Sequence, residues 1–265
     1  MAIIIDGHVH IYPTFPTAEF FDAAFNNFAE AMQLHGTSLE ADAVIFLTEG
    51  EGHDVFSIIR DQAETPGGAP SDSLRFLKTE ETDSLVAEKN GRTVFIFPGR
   101  QYVSTEKIEI LSLFYSEPIS DKSLSLMSLA ERINESGGVI VVPWGVGKWL
   151  GKRGQLVTEL IEASNDAILF LGDNGNRPLF WPTPAQFAHA RKNGIYLLSG
   201  SDPLPLASHC GRVGTSGSML MEGELSRDLP AKSLLKLLND GEKLTEFGSR
   251  FKPCSFLYDQ LCLKL

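Results

Sequence analysis

Cysteine is scarce in this chain: Cys210, Cys254 and Cys262 are odd in number and scattered, with no CxxC spacing. That pattern argues against a disulfide framework or a thiolate zinc site and for reduced residues in or near a core. Positive charge is short too. Lysine and arginine number 23 against 34 aspartates and glutamates, a formal charge of -11. A polyanion would bind against a repulsive field, so nucleic acid is not expected as a partner. Long apolar runs are missing as well: none approaches the roughly 18 residues of a membrane helix, and no basic flank precedes the first hydrophobic segment. A cytoplasmic protein without membrane contact is expected. No Walker loop, GxSxG elbow or GxGxxG after a strand is found, which leaves nucleotide-dependent and serine-hydrolase chemistry without local support.

What is present is the balance of a globular protein, 43% hydrophobic and 22% charged over 265 residues, with ample apolar side chains for a large core. Barrels use about 250 residues as one unit, so a single domain over 1–265 is expected. Ala2 to Ile5 reads as a buried first strand, and Thr17 to Leu34 as an amphipathic helix, with Phe21, Phe25, Phe28 and Met32 at helical spacing. Ala43 to Leu47 is a second strand, followed by a glycine-rich loop over Thr48 to Asp54 and a short helix to Arg60. Thr65 to Ser73 is a loop, and Asn90-Gly91 turns a hairpin between the strands Leu85 to Glu88 and Thr93 to Phe97, after a strand over Leu74 to Lys78. From the strand Ile108 to Tyr115 onward, helix and strand alternate: Leu124 to Asn134, Val139 to Val142, Gln155 to Ala163, Ala167 to Leu171, Pro184 to Lys192 and Ile195 to Leu198. Such alternation predicts an α/β fold with a mainly parallel sheet closed into a TIM-like barrel. Ala231 to Asn239 is a last helix, and the tail beyond it is packing material.

Asp6-Gly-His-Val-His10 directly follows the first strand. Alternate side chains of an extended segment share a face, so His8 and His10 point together and can chelate one divalent cation. The strand Ile195 to Leu198 runs into Ser199-Gly-Ser-Asp202. In a closed barrel the last strands lie beside the first, so Asp202 can complete a site begun by the two histidines. Two imidazoles and a carboxylate suit a catalytic zinc, and also manganese or iron. The nearest candidate bases are Glu49 and His53 in the loop after the second strand. Arg100, Lys148, His209 and Arg212 fall at strand ends or in the loops that follow, where a barrel collects substrate contacts, and arginine suits a bidentate grip on phosphate or carboxylate. Gly172-Asp-Asn-Gly-Asn176 reads as a turn with a lesser chance of lining the pocket.

The chain resembles the polymerase and histidinol phosphatase (PHP) family over roughly residues 1–215. The resemblance is carried by Asp6-Gly-His-Val-His10, by Phe-Pro-Gly-Arg-Gln-Tyr102 ahead of Glu109-Ile-Leu-Ser-Leu-Phe, by Gly-Gly-Val-Ile-Val-Val-Pro-Trp-Gly145, and by Gly-Ser-Asp202 followed by Gly211-Arg-Val-Gly-Thr215. It implies a distorted (β/α)7 barrel and hydrolysis of phosphoester bonds by water activated on up to three metals. His8, His10 and Asp202 fall where the family places ligands of its first metal, and Gln101 where it places a bridging glutamate. Elsewhere the chain departs: an Asp-His pair reads Glu49-Gly50, a histidine reads Glu109, an Ala-His-Pro motif reads Pro143-Trp144-Gly145, and a final histidine reads Leu204. Most of the second and third metal sites is thereby missing.

The expected function is that of a divergent PHP-like hydrolase using one divalent ion, zinc first and manganese or iron next, on a small anionic substrate. A barrel that has lost its metals and serves in binding or regulation is the alternative, motivated by Trp144, Leu204 and Gln101. An amidohydrolase also begins with HxH and ends with a strand-end aspartate, but later-strand histidines are short here.

Overall fold

The computed structural model of the protein describes all residues except 38–40, 67–70, 116, 165–166, 242 and 264–265. The loop expected over Thr65 to Ser73 falls partly outside the described residues. Strand β1 (Ile3–Val9) is buried at every position because it lies between β2 (Asp42–Glu49), parallel to it, and β9 (Ser216–Leu220), antiparallel. Helix α1 (Thr17–Leu34) has the expected bounds and packs Phe21, Phe25, Phe28 and Met32 onto the outer face of these strands. The period-2 alternation then divides the core into layers. Ile4, Ile45 and Ile96 face α1, whereas Ile3, Ile5, Val44, Phe46, Phe95 and Phe97 face the inside of the curled sheet.

The strands run in the order β10-β9-β1-β2-β5-β6-β7-β8, with the β3–β4 hairpin attached to β5. Here β3 is Arg75–Lys78, β4 Leu85–Lys89, β5 Arg92–Val103, β6 Glu109–Leu113, β7 Val139–Pro143, β8 Leu169–Gly172 and β10 Leu244–Gly248. Two corrections to the expected barrel follow. The sheet is mixed rather than mainly parallel: β1–β2, β2–β5 and β7–β8 are parallel, and the other described ladders are antiparallel. Part of the reason is local. Asn90-Gly91, with φ of 53° and 72°, and the turn through Lys107, φ 63°, join neighbouring strands too tightly for a parallel crossover. The sheet is also open, a curled half-barrel and not a closed (β/α)7 barrel.

The expected strand Ile195 to Leu198 explains the opening. It lies between β8 and β1 but makes only isolated bridges, Leu171 with Leu197 and Asn174 with Gly200. It keeps a few backbone bonds to both neighbours, Leu198 N to Leu171 O (2.8 Å), Leu171 N to Tyr196 O (3.3 Å) and Gly7 N to Ser199 O (2.9 Å), and side chains take up other groups where a ladder would continue. Ser199 N donates to Ser218 Oγ (2.9 Å), Leu197 O accepts from the same hydroxyl (3.0 Å), Ser201 N donates to Asp6 Oδ1 (2.8 Å), and Gly200 O accepts from Ser216 Oγ (3.1 Å). The fit against β1 is close enough that a Cβ at Gly200 would collide with the backbone nitrogen of His8. Gly200→Ala is expected to destabilise the fold by roughly 3 kcal/mol, seen as a lower urea midpoint at unchanged slope.

The remaining helices are α2 (Val55–Gln62), α3 (Leu126–Glu135), α4 (Lys152–Ala163), α5 (Ala185–Lys192), α6 (Pro230–Asn239) and α7 (Pro253–Cys262). All but α7 match expected segments to within a few residues. The tail is more than packing material, because it supplies β10 and then α7 over the top of the sheet.

Candidate metal centre

The site begins with an irregularity in β1. Ile3 to Asp6 pair with Asp42 to Ile45 in step, but Val9 pairs with Leu47, so the register shifts by one residue between Asp6 and Val9. Strict alternation from Ile3 and Ile5 would send His8 and His10 outward with Ile4. The shift reverses the parity: Val9 joins Ile4 in the outer layer, and the two histidines turn to the interior. A bulge of this kind re-aims side chains and is common beside active sites.

Inside, the imidazoles meet Asp202. His8 Nε2 lies 3.0 Å from His10 Nε2, and Asp202 Oδ1 lies 3.6 and 3.7 Å from those two nitrogens. These three residues form the metal-competent cluster among the described residues. Gln101, at the end of β5, adds Oε1 at 2.9 Å from His8 Nε2. The arrangement is poor as a hydrogen-bonded cluster. One ring nitrogen faces an imidazole, an amide oxygen and a carboxylate, while His8 Nδ1 is buried without a partner. It is good as a ligand set, since donors about 2.0–2.2 Å from one zinc at tetrahedral angles stand about 3.4 Å apart.

Electrostatics point the same way. Burial and the neighbouring His8 push the pKa of His10 down to about 4, against the pull of Asp202, so the ring is neutral and has a lone pair to give. Burial opposes the charge on Asp202, but the two imidazoles, amide bonding and Lys148 more than offset it and hold the carboxyl below its ordinary range. Asp202 itself adopts a left-handed φ of 46°, strain of the kind that persists where surrounding contacts impose it. Those contacts are Asp202 N to His8 O (2.8 Å), Asn174 Nδ2 to Asp202 Oδ2 (2.8 Å) and Asn176 Nδ2 to Asp202 O (2.6 Å). The turn after β8 thus holds the ligand in place, the role that its sequence showed only as two asparagines a strand-repeat apart.

The other candidate residues separate. Lys148 lines a cavity of about 230 Å3 that opens on His10 and Asp202, and it is ion-paired with Glu109 in the same wall. Glu49 and His53 lie in a second small cleft, across His10, Tyr12 and Gln101 from the first. Glu49 is buried and accepts the Val55 N–H at the start of α2, and burial raises its pKa despite that bond and nearby Arg100. His53 is exposed. The other three expected substrate contacts do not line either cleft and have partners of their own. Arg100 donates to the His53 carbonyl (2.5 Å) and pairs with Asp54 (3.5 Å). Arg212 lies over the Phe251 ring at 4.2 Å and donates to Gly175 O. His209 is buried with Nδ1 accepting from Leu204 N (3.0 Å) and Nε2 2.8 Å from Asp259 Oδ2. Sequence reasoning missed Tyr12 and the tail residues Phe251, Phe256, Asp259 and Gln260, which line the first cavity; no motif marks the tail.

No family model and no curated protein matches the chain. Solved structures do. PsfC from Pseudomonas syringae PB-5123 aligns over 94% of this chain and 92% of its own, at 15% identity and TM-score 0.56. A two-domain protein from Bacteroides vulgatus ATCC 8482, described as containing a predicted PHP-like metal-dependent phosphoesterase, aligns over 94% of this chain at 10% identity and TM-score 0.51. The fold is PHP-like. The lesion-specific endonuclease PfuEndoQ from Pyrococcus furiosus also shares it, over 93% of this chain, at 16% identity and TM-score 0.51. This chain spans 58% of the endonuclease and 65% of the Bacteroides protein. Since an endonuclease shares the fold, the expectation that nucleic acid is excluded rests on the acidic charge alone. No helix among the described residues is long and apolar enough to cross a membrane.

Proposed function

We propose that the protein is a metal-dependent hydrolase that cleaves phosphoester bonds with a single divalent ion held by His8, His10 and Asp202. The observation that carries this reading is the register shift in β1, which turns both histidines onto Asp202. Zinc suits two neutral imidazoles and one carboxylate with a position left open, and manganese or iron is the next choice. Such an ion supplies Lewis acidity and lowers the pKa of a water it holds to about 7.

The protein's own groups do the rest. Gln101 orients its amide oxygen on His8. Glu49 faces the cleft shared by His10 and Gln101, and its raised pKa suits it to accept the proton of the attacking water. The water oxygen joins phosphorus, the ester P–O bond breaks, and the leaving oxygen takes a proton from Glu49 or solvent. Lys148 is the cation in reach of the substrate. Arg100, His209 and Arg212 act at one remove, by shaping the loops.

The test is elemental analysis of protein purified without chelator, followed by a phosphoester screen with zinc or manganese. About one equivalent of metal with turnover supports the reading; less than about a tenth of an equivalent without rebinding overturns it and leaves the binding or regulatory alternative, which Trp144 and Leu204 in the cavity wall favour. Glu49→Gln keeps an oxygen for the Val55 N–H, so metal content should hold while kcat falls by about 10²- to 10⁴-fold. In the parent protein, activity should decline as pH falls through a pKa above the ordinary carboxylate range. The variant should lack that acid limb.

A further inference from the structure

The charge and shape of the cavity in front of Asp202 narrow the substrate, given the metal-dependent reading above. The cations that would grip a phosphate are engaged elsewhere, as described for Arg100, His209 and Arg212. Among the described lining residues Lys148 is the one cation, and Glu109 already neutralises it. Asp202 and Asp259 add two carboxylates. His209 Nδ1 accepts the Leu204 N–H, so the ring is neutral with its proton on Nε2 toward Asp259, and the imidazole does not cancel the charge of that carboxylate. Arg212, seated over the Phe251 ring behind the lining, acts on both Asp202 and Asp259, so a divalent ion would bring the whole set to about one positive charge, which a singly charged group balances and a doubly charged group exceeds. Water is meanwhile kept from one side by an apolar wall. Trp144 stands at its base, 2% exposed and edge-on to Trp181 at 5.6 Å. Leu204, from the loop after Asp202, lines the same cavity, and the tail adds Phe251 and Phe256. Trp144 and Leu204 occupy positions where the family resemblance places histidines, so the space is lined for hydrocarbon rather than for further ions.

We infer that the preferred substrate is a singly charged phosphodiester carrying a ring-sized apolar substituent, which packs against Trp144, Leu204, Phe251 and Phe256. A phosphomonoester dianion is disfavoured by Glu109, Asp202 and Asp259, because like charges at short range in a partly dehydrated site repel strongly. The tail, through α7, is then a specificity element. Its seat is the buried contact of Asp259 with His209 and the edge-on contact of Phe256 with Phe180 at 5.9 Å.

Three phosphonate probes, the two esters carrying methoxide as a poor leaving group, test this on protein whose metal content is measured first: phenylphosphonate at mildly alkaline pH, its monomethyl ester, and monomethyl methylphosphonate. Binding is followed by titration calorimetry and by tryptophan fluorescence. The monomethyl phenyl probe is expected to bind at least about tenfold tighter than the dianion, although the dianion is the better ligand for a free divalent ion. It is also expected to bind at least about tenfold tighter than the methyl probe of equal charge. Phe256→Ala should remove most of the ring's advantage and leave the methyl probe unchanged. Leu204→Ser tests the apolar lining without touching α7 and should do the same. Glu109→Gln, which frees Lys148, should bring the dianion close to the monoanion. A chain that takes up no metal overturns the metal-dependent reading and this inference with it. A metal-loaded chain that binds none of the probes, prefers the dianion, or gains nothing from the ring overturns this inference alone.

Discussion

His8→Ala lowers the metal content from about one equivalent per chain to less than about a tenth, and phosphoester turnover disappears with it. The expectation rests on the small number of protein ligands. Three donors converge, and His8 Nε2 is the atom that touches all the others: His10 at 3.0 Å, Gln101 at 2.9 Å and Asp202 at 3.6 Å. Its loss leaves one imidazole and one carboxylate, too few to hold a divalent ion against water. Stability separates this from simple misfolding. An ion that binds only the folded chain stabilises it by about 2.7 kcal/mol at a hundredfold excess over Kd. The parent protein should therefore melt higher when zinc is added, and the variant should not. Without metal, the variant should be nearly as stable as the parent, because the side chain it loses has an unpartnered buried Nδ1 and crowded polar neighbours. A variant that retained its metal would place the ion elsewhere and sink the proposed function.

Asp6→Ala should be the most damaging single change to the fold. Asp6 is fully buried, and its carboxylate accepts from Ser201 N (2.8 Å), Ser201 Oγ (2.5 Å), Gly214 N (2.8 Å) and His8 N (3.4 Å). Burial raises its pKa to about 6, even though those four bonds favour the charged form. Truncation would leave buried N–H groups without acceptors, each costing about 1–3 kcal/mol, for a total near 3–5 kcal/mol. Chemical denaturation would read this directly. The damage should extend to the site, because Ser201 precedes the ligand Asp202 and Asp6 ties the middle of the 199–202 segment to β1, between the backbone bonds of Ser199 O with Gly7 N and of Asp202 N with His8 O. Metal affinity should fall together with stability in Asp6→Ala, whereas in His8→Ala it falls alone. Equal metal affinity in Asp6→Ala and the parent would show that Asp202 is positioned by its asparagine contacts and not by Asp6.

Much of the fold was legible because its signals are local. The phenylalanines of α1 repeat at 3.6 residues, and Asn90-Gly91 carries the positive φ values that its hairpin needs. The ligand types were legible too, as an HxH at a strand end and an aspartate at the end of a late extended segment. Less legible was the segment Ile195 to Leu198, which has the composition of a strand but bonds to Leu171 of β8 over a short stretch, with Leu197 O taken by the Ser218 hydroxyl and the residues just after it held by Ser218, Ser216 and Asp6 side chains. The same holds for the cations. Arg212 and His209 occupy the expected loops, but Phe251 and Asp259 in the tail, some 40 to 50 residues away along the chain, claim their side chains.

By itself the sequence determined the elements, their order, and which residues are able to ligate a metal, since periodicity, turn chemistry and donor type are properties of neighbouring residues. Only the tertiary structure decided where those donors point and what surrounds them. The parity of His8 and His10 depends on one extra residue between paired strands, a matter of register with β2. The apolar cavity depends on the C-terminal helix α7, which closes over His10 and Asp202 from the far end of the chain. Both are contacts between distant parts of the chain, and no local pattern encodes them.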